Sequence, residues 1–244
     1  MSNYLPIQLP SRCLTYPDIK PEDILVRPYN GGDEIILAQI NPANLERNFA
    51  VILKDVIQGI DPLKLTTGDR LYLIIWEYVN SYSEILHVNQ RCSHCLKTGF
   101  NINLKTDLQI AYLPDDYTEP CSITLPGSKE NVQLRVFTVE DEIEIEKMAA
   151  KGTDSHHYRY ARSIVGCDEP FAQMERLKKW KVIDTARLRK FHDIDTFHGP
   201  KSEVHVLCPH CGEEEEVSVP FRFDFFYPTS ETLGRCFGEG VSTL

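Results

Sequence analysis

The residue pattern predicts an α+β fold built from two cysteine-tipped β-hairpins, a large helical insertion between them and a helical N-terminal half. Three observations carry this expectation. Two C-x-x-C knuckles, Cys92-Ser93-His94-Cys95 and Cys208-Pro209-His210-Cys211, are each flanked by residues that alternate apolar and polar. The long stretch between them is punctuated by helix caps and stops, and the residues before the first knuckle repeat apolar side chains at helical spacing.

Residues 1–32 read as an extended N-terminal arm, because Pro6, Pro10, Pro17, Pro21 and Pro28 disfavour helix and Gly31-Gly32 end the stretch. Residues 33–84 form a helical core segment. Its first run, Ile35-Ile36-Leu37-Ala38, fits one buried strand or the opening turns of a helix. Asn41 as N-cap and Pro42 at N1 then open the stripe Leu45, Phe49, Ile52, Leu53, Val56, Ile57 and Ile60, which Gly59 and Asp61-Pro62 stop. Thr66 and Asp69 resemble a capping box, opening a helix (Leu71, Leu73, Ile74, Ile75, Trp76, Val79) that is apolar almost all round and therefore belongs in a core.

Residues 85–137 carry the first half of the ribbon: a strand over 85–88 enters the knuckle, Phe100, Ile102 and Leu104 alternate on leaving it, and strands over 122–125 and 132–137 follow. Residues 138–200 are the helical insertion. Thr138 with Asp141 forms another capping-box pattern, Gly152 and Gly166 end helices, Asp168 and Asp184 suit N-caps, and His198-Gly199-Pro200 is a stop. Residues 201–228 supply the second half, entered by Val204 and Val206 and left by Val217, Val219, Phe221, Phe223 and Phe225 at period two, with Pro220 marking an edge strand or bulge. Residues 229–244 have no apolar period and read as a loose tail.

Composition excludes several classes. With 42% hydrophobic and 25% charged residues the chain is neither disordered nor, lacking any run of about 18 apolar residues, a membrane-spanning protein. Met1-Ser2-Asn3-Tyr4-Leu5-Pro6 has no basic or apolar signal-peptide region, so a reducing compartment is expected to keep the eight cysteines free. A net charge of −10 has the wrong sign for a surface that tracks phosphates throughout, and nucleic-acid binding would need a local patch.

A C-x-x-C turn presents two thiolates together, and two such turns complete a tetrahedral shell around zinc. Cys92, Cys95, Cys208 and Cys211 are therefore the expected ligands of one structural zinc ion, and the two hairpins the halves of one zinc ribbon. More than a hundred residues separate the pairs, against about 15–20 in ordinary zinc sites, so the helical insertion must sit inside the ribbon. A redox pair or metal-free pairs are the alternatives. His94 and His210 fall inside the knuckles, but four cysteines already satisfy the ion, and a closed four-thiolate site leaves no position for catalytic water.

No catalytic residue is expected. His192-Asp193-Ile194-Asp195-Thr196-Phe197-His198 has the composition of a phosphohydrolase metal site, yet reads as a solvated helix C-terminus that suits histidine, and His156-His157 lacks a sequence partner. Glu140, Asp141, Glu142, Glu144 and Glu146 occupy the first turns of a capped helix, where the dipole favours them. Arg176, Lys178, Lys179, Lys181, Arg187, Arg189 and Lys190 surround Trp180; they fit a solvated helix pair, a protein contact or a nucleic-acid patch.

Leu9-Pro10-Ser11-Arg12 followed by Tyr16-Pro17, the two knuckles with their helical insert, and the ending Pro220-Phe221-Arg222-Phe223-Asp224-Phe225-Phe226-Tyr227-Pro228 together resemble the baseplate hub protein family of T-even-type tailed bacteriophages, over residues 5–228. Cys13 departs from the glycine expected after the Leu-Pro-Ser-Arg turn. The resemblance implies a non-enzymatic role in building the tail baseplate hub, with other phage tail or baseplate proteins as partners. It places the protein in the host cytoplasm during assembly and, if retained, in the virion. The alternative is a zinc-ribbon nucleic-acid-binding regulatory protein.

Overall fold

The computed structural model describes residues 4–39, 45–166 and 169–221. In chain order the strands are Leu5–Pro6 (β1), Leu25–Val26 (β2), Ile57–Gln58 (β3), Ile85–Arg91 (β4), Thr98–Asn103 (β5), Ile110–Ala111 (β6), Cys121–Thr124 (β7), Asn131–Leu134 (β8), Gly199–Pro200 (β9), Glu203–Leu207 (β10) and Glu214–Ser218 (β11). The α-helices are Gly31–Leu37 (α1), Leu45–Val56 (α2), Thr67–Ser81 (α3), Val139–Ala150 (α4), Ser155–Ser163 (α5), Pro170–Leu177 (α6) and Val182–Lys190 (α7), the last running into a π-helical turn, Phe191–Asp195. This is the α+β fold expected. The helix caps at Asn41 and Asp168, Cys167, Phe223, Phe225 and the tail over 229–244 lie outside the described residues.

A first core joins the N-terminal half to both cysteine hairpins: Phe49, Ile52 and Leu53 of α2, Leu73, Ile74, Ile75 and Tyr78 of α3, and Phe100, Ile102, Val204 and Val217 of the hairpins are all buried in it. Asn30 and Asp33 form a capping box that resolves the ambiguous run after Gly31 as a helix, α1. Asp33 also takes both guanidinium nitrogens of Arg27, at 2.7 and 3.1 Å.

The N-terminal segment differs from the arm expected. Its prolines do keep it out of regular helix, but Ile7, Leu9, Tyr16, Ile24 and Val26 are buried in the first core, and β1, β2 and β3 form one small antiparallel sheet. Polar anchoring completes the attachment. Asp69, in the first turn of α3, accepts from the backbone N–H of Ser11 (2.8 Å) and from the Tyr16 hydroxyl (2.7 Å), and that hydroxyl accepts from the Thr66 N–H (2.6 Å). Between those anchors the chain folds into overlapping turns in which Arg12 (φ 53°) and Cys13 (φ 61°) are left-handed, the conformation that favours the glycine missing at position 13.

A second core joins the β7–β8 hairpin to the helices of the insertion. The hairpin of β7 and β8 packs Ile123, Val132 and Leu134 against Ile145 of α4, Tyr158 and Ala161 of α5, Met174 and Leu177 of α6, and Leu188 of α7. Asp141 organises its base: fully buried, it closes the capping box with Thr138 and receives Arg135 at 2.5 and 2.8 Å and Arg162 at 2.9 Å. Burial raises its carboxyl, but the Arg135 hydrogen bonds and the charges of both arginines outweigh this and hold it below the usual range. Asp184, expected as an N-cap, sits instead inside the first turn of α7, buried, accepting from the N–H groups of Gly127 (2.5 Å) and Ser128 (3.0 Å); Lys181 is the capping position.

The two cores are pinned together where β9 passes α3. A Cβ on Gly68 would stand 2.2 Å from the carbonyl oxygen of His198, and one on Gly199 (φ 105°) 2.9 Å from the Cα of Gly68, so both positions require glycine.

Candidate metal centre

Each knuckle turns at the tip of an antiparallel hairpin, β4–β5 or β10–β11. Their hydrogen bonding is the same. The Cys92 N–H donates to Lys97 O (2.9 Å) and the Leu96 N–H to Cys92 O (3.1 Å); the Cys208 N–H donates to Glu213 O (2.8 Å) and the Gly212 N–H to Cys208 O (2.9 Å). The equivalent fourth positions are both left-handed, Leu96 at φ 65° and Gly212 at φ 78°.

The fold brings the two knuckles face to face. The four sulfur atoms lie within 4.8 Å of one another, with Cys92 Sγ 3.8 Å from Cys211 Sγ and Cys95 Sγ 3.7 Å from Cys208 Sγ. Tetrahedral ligands at the usual Zn–S length of about 2.3 Å are separated by about 3.8 Å, so the donor set fits zinc in chemistry and size. The cysteines are free thiols. Burial raises the Cys208 thiol, but the N–H groups of His210 and Cys211 pull it down to about 6. The Cys211 thiol accepts from the Glu213 N–H, which lowers it, yet burial and the other three thiols drive it up to about 12. Four sulfurs this close cannot all ionise without a cation among them.

Side chains lock the hairpins together. Glu215 Oε2 accepts from the N–H (2.9 Å) and hydroxyl (2.8 Å) of Ser93, while Gln90 donates to Glu216 O (2.7 Å) and accepts from the Ser218 N–H (3.1 Å). Sequence patterning could not pair these residues, because the partners are more than a hundred positions apart. His94 and His210 are exposed and stand outside the sulfur cluster.

His192 and His198 are not at a solvated helix end. His192 stacks on Phe137 with ring centroids 4.0 Å apart and meets Ser163 Oγ at 3.1 Å; burial, then Arg159 and Arg135, lower it to about 3 and keep it neutral. His198 is buried, its Nδ1 donating to Thr196 O (2.9 Å), which leaves Nε2 to accept from the Thr66 hydroxyl (2.6 Å). Asp195 turns away to Arg187 (2.7 Å) and Lys190 (3.0 Å), so no His–Asp metal site assembles there among the described residues. His157 is tied to the α5 N-cap Asp154. Of the basic stretch, Arg176 pairs with Glu130, Lys178 with Glu175 and Arg187 with Asp195, and Arg176 lies over the Trp180 ring. No described helix is long and apolar enough to cross a membrane.

Compared with known proteins, residues 11–227 match the family model described as T4 bacteriophage base plate protein. No curated protein and no solved structure matches the chain significantly.

Proposed function

The chain belongs to the T4 bacteriophage base plate protein family and is a structural baseplate component; from that membership we propose that it serves the baseplate hub, as a non-enzymatic structural or assembly subunit acting through contacts with other tail and baseplate proteins. One zinc ion held by Cys92, Cys95, Cys208 and Cys211 stabilises it. The observation that carries the metal assignment is the convergence of four sulfurs within 4.8 Å of one another, from hairpin tips that the chain separates by the whole insertion. Zinc bound there would supply cohesion, because a four-thiolate shell keeps no open position for water. The protein's own residues then shape a rigid ribbon: Glu215 and Gln90 fix the hairpins in register, and the buried Val204 and Val217 seat them on the first core.

The test is zinc content and partner capture on the full chain. Elemental analysis is expected to give one zinc per chain, and co-expression with the tail proteins of the same phage to yield a complex that survives moderate salt. Absence of zinc overturns the metal assignment, and binding to DNA or RNA that falls steeply with salt, in place of any tail protein, returns the nucleic-acid regulator reading.

A further inference from the structure

Two exposed surfaces have an apolar centre and a charged rim, and their charges are opposite. On the β10–β11 hairpin, Glu203, His205 and Leu207 alternate outward while Val204 is buried; Leu207 is 69% exposed, directly opposite Glu214, with Glu216 diagonal to it. The Glu214 and Glu216 side chains are themselves mostly exposed, and each has His205 as its ion-pair neighbour among the described residues, at 3.9 and 3.7 Å. At the start of α7, Val182 is 81% and Ile183 57% exposed, immediately after Lys179 and Lys181. These two lysines have no carboxylate partner among the described residues, unlike Arg176, Lys178 and Arg187 beside them. Exposed aliphatic side chains beside charges of one sign are the elements from which protein contacts are built. The hairpin is seated on the first core and α7 on the second.

From this complementarity we infer that the chain associates head to tail with a second copy of itself. Leu207 of one copy packs against Val182 and Ile183 of the next, with Glu214 and Glu216 facing Lys179 and Lys181. A contact between different surfaces leaves a free hairpin at one end and a free α7 at the other, so it propagates into a closed ring or an open filament.

Sedimentation velocity of the full-length chain tests this, with two charge-reversal variants. Lys179→Glu/Lys181→Glu makes both surfaces acidic, and Glu214→Lys/Glu216→Lys makes both basic. The expected result is a wild-type chain that self-associates and dissociates as salt rises, each variant alone weakened about tenfold or more, and an equimolar mixture of the two variants associating again. Recovery in the mixture also shows that both variants are folded. A wild-type chain that stays monomeric at its solubility limit overturns the inference, as does association that neither reversal weakens, or variants that remain apart when mixed. Lysines engaged by DNA or by another tail protein, with the chain itself monomeric, give the first of these overturning results.

Discussion

At Leu96 an exposed, bulky side chain holds a left-handed backbone that its counterpart in the second knuckle assigns to glycine. The left-handed conformation costs an L-residue roughly 1–2 kcal/mol, part of which glycine returns through unfolded-state entropy. Leu96→Gly is therefore expected to stabilise the protein by about 0.5–1 kcal/mol in urea titration, and a loss of stability would mean that the leucine makes a contact worth more than the strain. Glu77 is the opposite case, a buried residue whose carboxyl oxygens meet no donor in good geometry, beside the Arg27–Asp33 pair and the buried Tyr29 hydroxyl. Burial pushes its carboxyl up to about 9; Arg27 lowers it and Asp33 raises it further. The unfolded group titrates in the ordinary carboxylate range, so folding takes up a proton between the two values. Its stability contribution is full at acid pH and is lost as pH rises toward about 9, at up to about 1.4 kcal/mol per pH unit. Urea midpoints across that range are expected to fall with pH in the native chain and to flatten in Glu77→Gln; an unchanged slope would locate the proton uptake elsewhere.

At the scale of elements, α3 gives Leu73, Ile74, Ile75 and Tyr78 to the first core. Ile75, 4% exposed on its buried face, should cost about 2–5 kcal/mol on truncation to alanine, as buried aliphatic residues do. The cap residue and apolar face of this helix were legible, because Thr66, Asp69 and the run to Val79 are local signals. The second task of Asp69 was not: Ser11 and Tyr16 lie 58 and 53 positions away, and periodicity carries no information about such pairs. The same blindness turned proline-rich residues 1–32 into an arm. Lack of regular structure is a local property, whereas burial of Leu9 and Tyr16 depends on a helix that follows them. Deleting residues 1–20 removes those side chains and strands Asp69 in the core without its donors, so circular dichroism should register lost helicity. A truncated chain with native helicity and melting would restore the arm. Asp69→Ala, leaving the Ser11 N–H and the Tyr16 O–H without an acceptor, is expected to cost about 3 kcal/mol or more.

For the whole molecule, the convergence of Cys92, Cys95, Cys208 and Cys211 was the most legible feature, since C-x-x-C spacing and flanking alternation survive an insertion of any length. What the insertion does was less so: its helices were marked by caps, but the burial of Asp141 and Asp184 that fixes them to the β7–β8 hairpin depends on partners only the folded chain supplies. Among the described residues the molecule has two large cores and a small third one of Leu113, Tyr117 and Val136, and of these only the first includes Cys92, Cys95 and Cys208. Structural zinc in small peptides contributes about 10–16 kcal/mol, so its loss should exceed what one core can absorb. Cys208→Ser, or chelation of the native protein, is expected to abolish zinc binding and expose the backbone amides of β4, β5, β10 and β11 to hydrogen exchange first. The amides of α5 and α6, whose buried contacts are within the second core, should keep their protection longer. Simultaneous loss of protection in both would show that the Gly68–Gly199 contact and the shared Thr66–His198 bond couple the cores into one cooperative unit. Retained protection of the hairpins without metal would show that the ribbon is held by Glu215, Gln90 and the first core alone.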